Sequence, residues 1–258
     1  MLGDSFTKGG GVANDAVIFP ELLEQRLNSE ASYPGVEQID ILNGGIGGNL
    51  TGTWFRLLEQ VKEPFDPGIV LIVFFLRDGT LTTSMGAFFG PVRDMIAQRN
   101  RESQLYRHSY LYRLYCDFRD RQEVGSEYTR ALEESYLGDA EQSAEWQRAQ
   151  KNLLKIVEHA HAMSASVGLV VFPILVELDG SYPFKNICDE LMRFAEENDI
   201  PAHNLLDAFM GRHAPDLWVS AYTQHANEEG HAIVAEVLYP FLDRLIQDKL
   251  RTESPTGG

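Results

Sequence analysis

The stretch Gly68–Leu76, GIVLIVFFL, constrains the fold more than any other. It is apolar without a break and rich in β-branched and aromatic side chains. A strand with one wet face alternates in polarity, so an unbroken run of this length reads as a strand covered on both faces. Val167–Leu175, VGLVVFPIL, repeats the pattern, and Gln38–Leu42 is a shorter candidate. Helical spacing lies between them. Phe19–Leu27 sets Leu22, Leu23 and Leu27 on one face, and Thr53–Val61 does the same with Trp54, Leu57, Leu58 and Val61. Cys188–Asn198 and Glu229–Lys249 follow. Covered strands alternating with amphipathic helices predict an α/β fold, with a parallel sheet between two helical layers.

The chain of 258 residues suits one such domain. From about Thr80 to Ala165 no strand signal occurs. This stretch, with LYRHSYLYRLYCDF and EYTRALEESYLGDAEQSAEW, reads as a long helical insertion after the central strand. Ligands bind at the carboxyl ends of parallel strands, so the insertion is expected to be either a cap over a site or a packing ornament. The polar tail Thr252–Gly258 is expected to fray.

Charge narrows the partners. Lys and Arg total 22 against 38 Asp and Glu, a net charge of −16. Nucleic-acid backbones and anionic membranes both require clustered cations, so neither is an expected partner. No apolar run approaches the ~18 residues of a membrane span. No basic, apolar leader is visible, which leaves the compartment open. Cys116 and Cys188 make no disulfide framework and lack metal-ligand spacing. His159 and His161, two apart, point to different sides of a helix. No HExxH or phosphate loop is present, and neither a metal nor an organic cofactor is expected.

Four short blocks carry the chemistry. The chain opens MLGDSFTKGGG, with Ser5 after an acid and before a glycine loop. A serine at a strand-to-helix turn presents its hydroxyl in the crevice at the sheet edge. A second glycine block, ILNGGIGGNLTG, follows the Gln38–Leu42 candidate strand. The central strand ends FFLRDGT, and YTQHANEEGHAIVAE places His225 just ahead of the last helix.

In that order the four blocks resemble the SGNH, or GDSL-type, hydrolase family, over nearly the whole chain. The resemblance implies a three-layer α/β/α, flavodoxin-like fold in a single domain, 1–258. It implies that Ser5 is the nucleophile and that His225 is its base. It further implies an oxyanion hole from the N–H groups of Ser5 and Gly48, with Gly45 as the alternative. Arg77 stands where the family usually has asparagine and takes the third oxyanion position. Asp4 and His231 fall on structural positions. The implied function is hydrolysis of a carboxylic ester, an acetyl or short acyl group on a carbohydrate or lipid. An acyltransferase using the same acyl-enzyme and an inactive binding protein of the same fold are the alternatives.

Besides Arg77, the sequence departs from the family in three respects. Tyr222 and Thr223 occupy the positions three and two before His225, where an aspartate is usual, and Ala226 replaces a proline. A main-chain carbonyl near Ser220–Tyr222, giving a Ser–His dyad, or Asp216 is the candidate substitute for the missing acid. Finally, the family's first strand precedes Gly-Asp-Ser inside the sheet, and only Met1 and Leu2 stand ahead of Gly3. An interior position short of a strand exposes unpaired backbone, so this chain is expected to be poorly stable.

Overall fold

The computed structural model describes residues 1–81, 85–220 and 223–253, without the side chains of 85–93, 121–122 and 253. They form two compact units, Met1–Asp78 with Ala149–Gly258, and Gly79–Arg148.

The first unit is built on five parallel strands: β1 (Leu2–Gly3), β2 (Gly44–Gly45), β3 (Ile69–Phe75), β4 (Ser166–Phe172) and β5 (Ala202–Asn204). They lie in the order β2-β1-β3-β4-β5, the flavodoxin-like order. The two apolar runs of the sequence form β3 and β4, which pair along their full lengths and are buried except at their first residues. Flanking helices are α1 (Ser5–Lys8), α2 (Phe19–Glu30), α3 (Thr51–Phe65), α8 (Lys185–Glu197), α9 (Leu206–Phe209) and α10 (Glu228–Glu253).

The registers show which helix covers which face. Leu2 stands level with Gly44 and Ile72, and a Cβ on Gly44 would meet Leu57 of α3 at 3.0 Å. Leu71, one residue along β3, points the other way. Its partner Gly168 lies against Phe241 and Leu245 of α10. Thus α3 and α10 cover opposite faces, and α2 packs beside α10. The fold is α/β, with a central parallel sheet flanked by helices.

Gln38–Leu42 is not a strand. Its Ile39 and Ile41 N–H groups are taken by Asn28 Oδ1 at 2.8 Å and Glu24 Oε2 at 2.5 Å, which ties the segment to α2. The ladder begins two residues later, at Gly44. Residues 254–258 of the tail lie outside the described residues, while Thr252 and Glu253 complete α10.

β1 occupies the interior position with two residues only. Near its amino end lies a cavity of about 440 Å³. Residues 38–42 and Gly68–Leu71 form its two edges, and Leu57 and Val61 of α3 and Leu242 and Ile246 of α10 line it.

The second unit is helical. After β3 come α4 (Met85–Glu102), α5 (Gln104–His108), α6 (Tyr110–Leu137) and the first turn of α7 (Ala144–Ala162). Among the described residues of 80–165 there is no strand. Polar contacts join its elements. Thr80 Oγ1 donates to Glu145 Oε2 at 2.8 Å, Tyr106 donates to Asp117 at 2.8 Å, and Arg99 pairs with Asp120. Tyr136 packs on Trp146 with ring centres 5.1 Å apart.

Candidate active site

The site starts where β1 ends. Gly3 has no room for a side chain, since a Cβ there would come within 2.0 Å of Thr7 Oγ1. Asp4 caps the next turn, its Oδ1 accepting the Phe6 N–H at 2.8 Å. Ser5 opens α1 and so stands at the carboxyl end of β1, between β2 and β3, where the chain's connections diverge to the two sides of the sheet. α1 is one turn long, too short to hold itself in water. Phe6 holds it by stacking on Phe75 at 3.9 Å and meeting Phe172 at 5.1 Å.

His225 arrives from the other end of the sequence. It lies on β7 (Thr223–Ala226), which pairs antiparallel with β6 (Trp218–Ser220). The hairpin is tied down at Trp218, whose indole donates to the Leu175 carbonyl at 2.7 Å. Asn227 also holds it, donating its side chain to the Asp216 carbonyl at 2.7 Å and its main-chain N–H to Leu217 at 2.8 Å. The imidazole rests on Phe6 with centres 4.8 Å apart, and Gly10 leaves it room, a Cβ there standing 3.2 Å from His225 Cδ2.

Ser5 Oγ and His225 Nε2 are 2.8 Å apart across 220 residues of chain. The single hydroxyl proton has a second acceptor in Asp4 Oδ2, at the longer distance of 3.4 Å. The other ring nitrogen, Nδ1, is hydrogen-bonded to Thr223 Oγ1. Sequence reasoning noted Thr223 only as the absence of an acid. The signal that locates it is strand periodicity, since residues two apart on a strand share a face. Asp216 is exposed in the preceding turn, 3.2 Å from His213. Of the carbonyls considered, those of 221 and 222 lie outside the described residues.

The glycine block divides its duties. Gly45 donates its N–H to Asn43 Oδ1 at 3.0 Å, and a Cβ on it would meet Lys8 N at 2.3 Å. It is a glycine because α1 passes close by. Asn49 N–H closes a turn on Ile46 at 3.1 Å, and that turn contains Gly47 and Gly48. Gly48 has φ +75°, which suits glycine, and open space around it. Gly47, which sequence reasoning passed over, approaches Ser5 to 3.7 Å from its Cβ position.

Three charged groups lie around the end of β3. Arg77 is half-buried, its guanidinium 4.8 Å above the Phe75 ring. Asp78 is buried, its Oδ2 accepting the Phe75 N–H at 2.9 Å. Burial, reinforced by the charge of Asp4, pushes its carboxyl well above the usual range. Burial also raises Asp4, against the opposing pull of the Phe6 N–H and the Arg77 charge. His225 is pushed the other way, below its ordinary value, by burial and then by Arg77. A neutral imidazole whose Nδ1–H is engaged turns the Nε2 lone pair toward the serine, the arrangement that accepts a hydroxyl proton. His231, buried in α10, accepts the Phe19 N–H on Nδ1 at 3.2 Å and joins α2 to α10.

A family model described as GDSL-like lipase/acylhydrolase matches residues 1–233. The chain belongs to that family. Its members' fold is seen in two solved structures, each covered to 96% by 95% of this chain. One is the psychrotrophic esterase EstA of a Pseudoalteromonas species, inhibited by monoethylphosphonate, at 17% identity and a TM-score of 0.53. The other is a G-D-S-L family protein from Desulfitobacterium hafniense, at 15% identity and a TM-score of 0.51. A comparison with curated protein sequences gives no match. Family and fold are thus those of the GDSL-like hydrolases, and none of its described helices is long and apolar enough to cross a membrane.

His231 gives this site a pH signature. Burial, then the nearby His225, holds its imidazole at about 4. The unfolded chain takes up a proton near 6.5 that the folded chain refuses until about 4, so stability falls as pH drops through that window. The loss is roughly 3 kcal/mol. His231→Gln, which keeps an acceptor for Phe19, should remove that slope from urea melts taken between pH 7 and pH 4.

Proposed function

We propose that the protein hydrolyses carboxylic esters, acetyl or short acyl esters of a carbohydrate or lipid, through an acyl-enzyme on Ser5. The observation that supports this reading is the 2.8 Å approach of Ser5 Oγ to His225 Nε2. Nε2 takes the hydroxyl proton as Oγ bonds to the ester carbonyl carbon. The negative charge that develops on the carbonyl oxygen is met by the main-chain N–H groups of Ser5 and the Gly47–Gly48 turn, with Arg77 as a third donor. The tetrahedral centre collapses, the ester C–O bond breaks, and the imidazolium returns its proton to the departing alcohol. Water repeats the cycle on the acyl group and frees the acid and Ser5.

Two features favour turnover at neutral pH. The pKa of His225 lies below its ordinary value, so the ring is free to accept a proton. Phe6 beneath it and Gly10 beside it fix its plane.

Ser5→Ala should abolish both hydrolysis of p-nitrophenyl acetate and labelling by a fluorophosphonate. His225→Ala should cost about 10³-fold in kcat. Equal rates for wild type and Ser5→Ala would reject the reading in favour of a binding role.

The pH–rate profile offers a separate check. The acid limb of kcat/KM should fall below pH 6.5, because both burial and Arg77 lower the imidazole. Arg77→Met removes one of those causes and should move the limb upward, toward 6.5. An unmoved limb would show that Arg77 does not act on the base.

A further inference from the structure

The hairpin of β6 and β7 carries two polar side chains into the site. Thr223 and His225 are two apart on one strand and therefore share a face. The hairpin register pairs Thr223 with Ser220, and the Thr223 N–H donates to Ser220 Oγ at 3.3 Å. That places the Thr223 hydroxyl against Nδ1 of the imidazole, while Nε2 faces Ser5. The ring is thus hydrogen-bonded at both nitrogens. Asp216, the nearest upstream acid, faces His213 instead.

From this geometry we infer that Thr223 is the positioning residue for His225, an uncharged substitute for the carboxylate of a serine hydrolase triad. The inference rests on the hydrolase reading for its consequence in rate but not for its structural content. A threonine hydroxyl carries one donor and two acceptor sites. As an acceptor it takes the Nδ1–H and leaves the Nε2 lone pair for Ser5, which is the productive tautomer. As a donor it binds an Nδ1 lone pair and leaves Nε2–H facing Ser5, which is unproductive. A carboxylate can only accept, so it would select the first tautomer outright. Its charge would also stabilise the imidazolium formed in mid-reaction, more strongly than a neutral hydroxyl does. Arg77 compounds the difference, because its charge already disfavours the imidazolium. The protein therefore has a base that is correctly aimed but weakly supported.

Three substitutions of Thr223 test this. Thr223→Ser keeps the hydroxyl and should hold kcat within about 3-fold. Thr223→Val keeps the shape, removes the hydroxyl, and should lower kcat about 10- to 100-fold with KM unchanged. Thr223→Asp supplies the charge and should move the acid limb of kcat/KM upward by at least one pH unit. A merely structural threonine would move none of these in this pattern. If Thr223→Val matches wild type, or if Thr223→Asp leaves the acid limb unmoved, the proposal is overturned. Nitrogen-15 NMR of His225 reads the same contact without turnover. An Nδ1–H proton protected from exchange should appear in wild type and Thr223→Ser and be absent in Thr223→Val. Its presence in all three would also overturn the proposal. Loss of Ser5-dependent turnover in wild type would reject the hydrolase reading alone, and the NMR comparison would still decide the role of Thr223.

Discussion

The stack of Phe6 on Phe75 is the contact on which the rest of the site depends. A serine–imidazole hydrogen bond is worth about 1 kcal/mol net, too little to order the groups that make it. Burying one phenylalanine side chain contributes about 2–3 kcal/mol, and ring packing adds about 1 kcal/mol. Phe6 is buried, stacks on β3 through Phe75, and carries the His225 ring on its other contacts. The one-turn helix of Ser5 and the hairpin of His225 thus meet on one aromatic side chain. Apolar burial sets the distance between Ser5 and His225, and the hydrogen bond only reports that distance.

Charge at the site is balanced in an unusual way. Two carboxyl groups, Asp4 and Asp78, follow adjacent strands and are both raised by burial. Neither faces Nδ1 of the imidazole. Asp78 serves the main chain at Phe75, and Asp4 serves it at Phe6 besides its longer contact with Ser5. Arg77 counters both acids and depresses the His225 imidazole at the same time. In place of a carboxylate, the imidazole has a cation nearby and a hydroxyl at Nδ1.

What could be read from the chain follows from which signals are local. β3 and β4 were legible because burial on both faces leaves an unbroken apolar run. Ser5 and His225 were legible because fixed motifs flank them. β5, three residues long, was not, since Ala202–Asn204 owes its place to the edge of β4 rather than to its own pattern. The Gln38–Leu42 segment misled for the complementary reason. Its alternation is real, but Asn28 and Glu24 take the groups that a neighbouring strand would need. Gly47 and Thr223 were missed because their roles arise from a close approach and a hairpin register, both of which require three dimensions.

The hairpin has one more implication. His225 and the Thr223 hydroxyl ride on the same four-residue strand, while Ser5 stands near the other end of the sequence. Any displacement of that strand carries Thr223 and His225 together, so the imidazole keeps its tautomer and tilt while its separation from Ser5 changes. The placement of this strand against Phe6 therefore decides whether the imidazole and the serine hydroxyl meet at all.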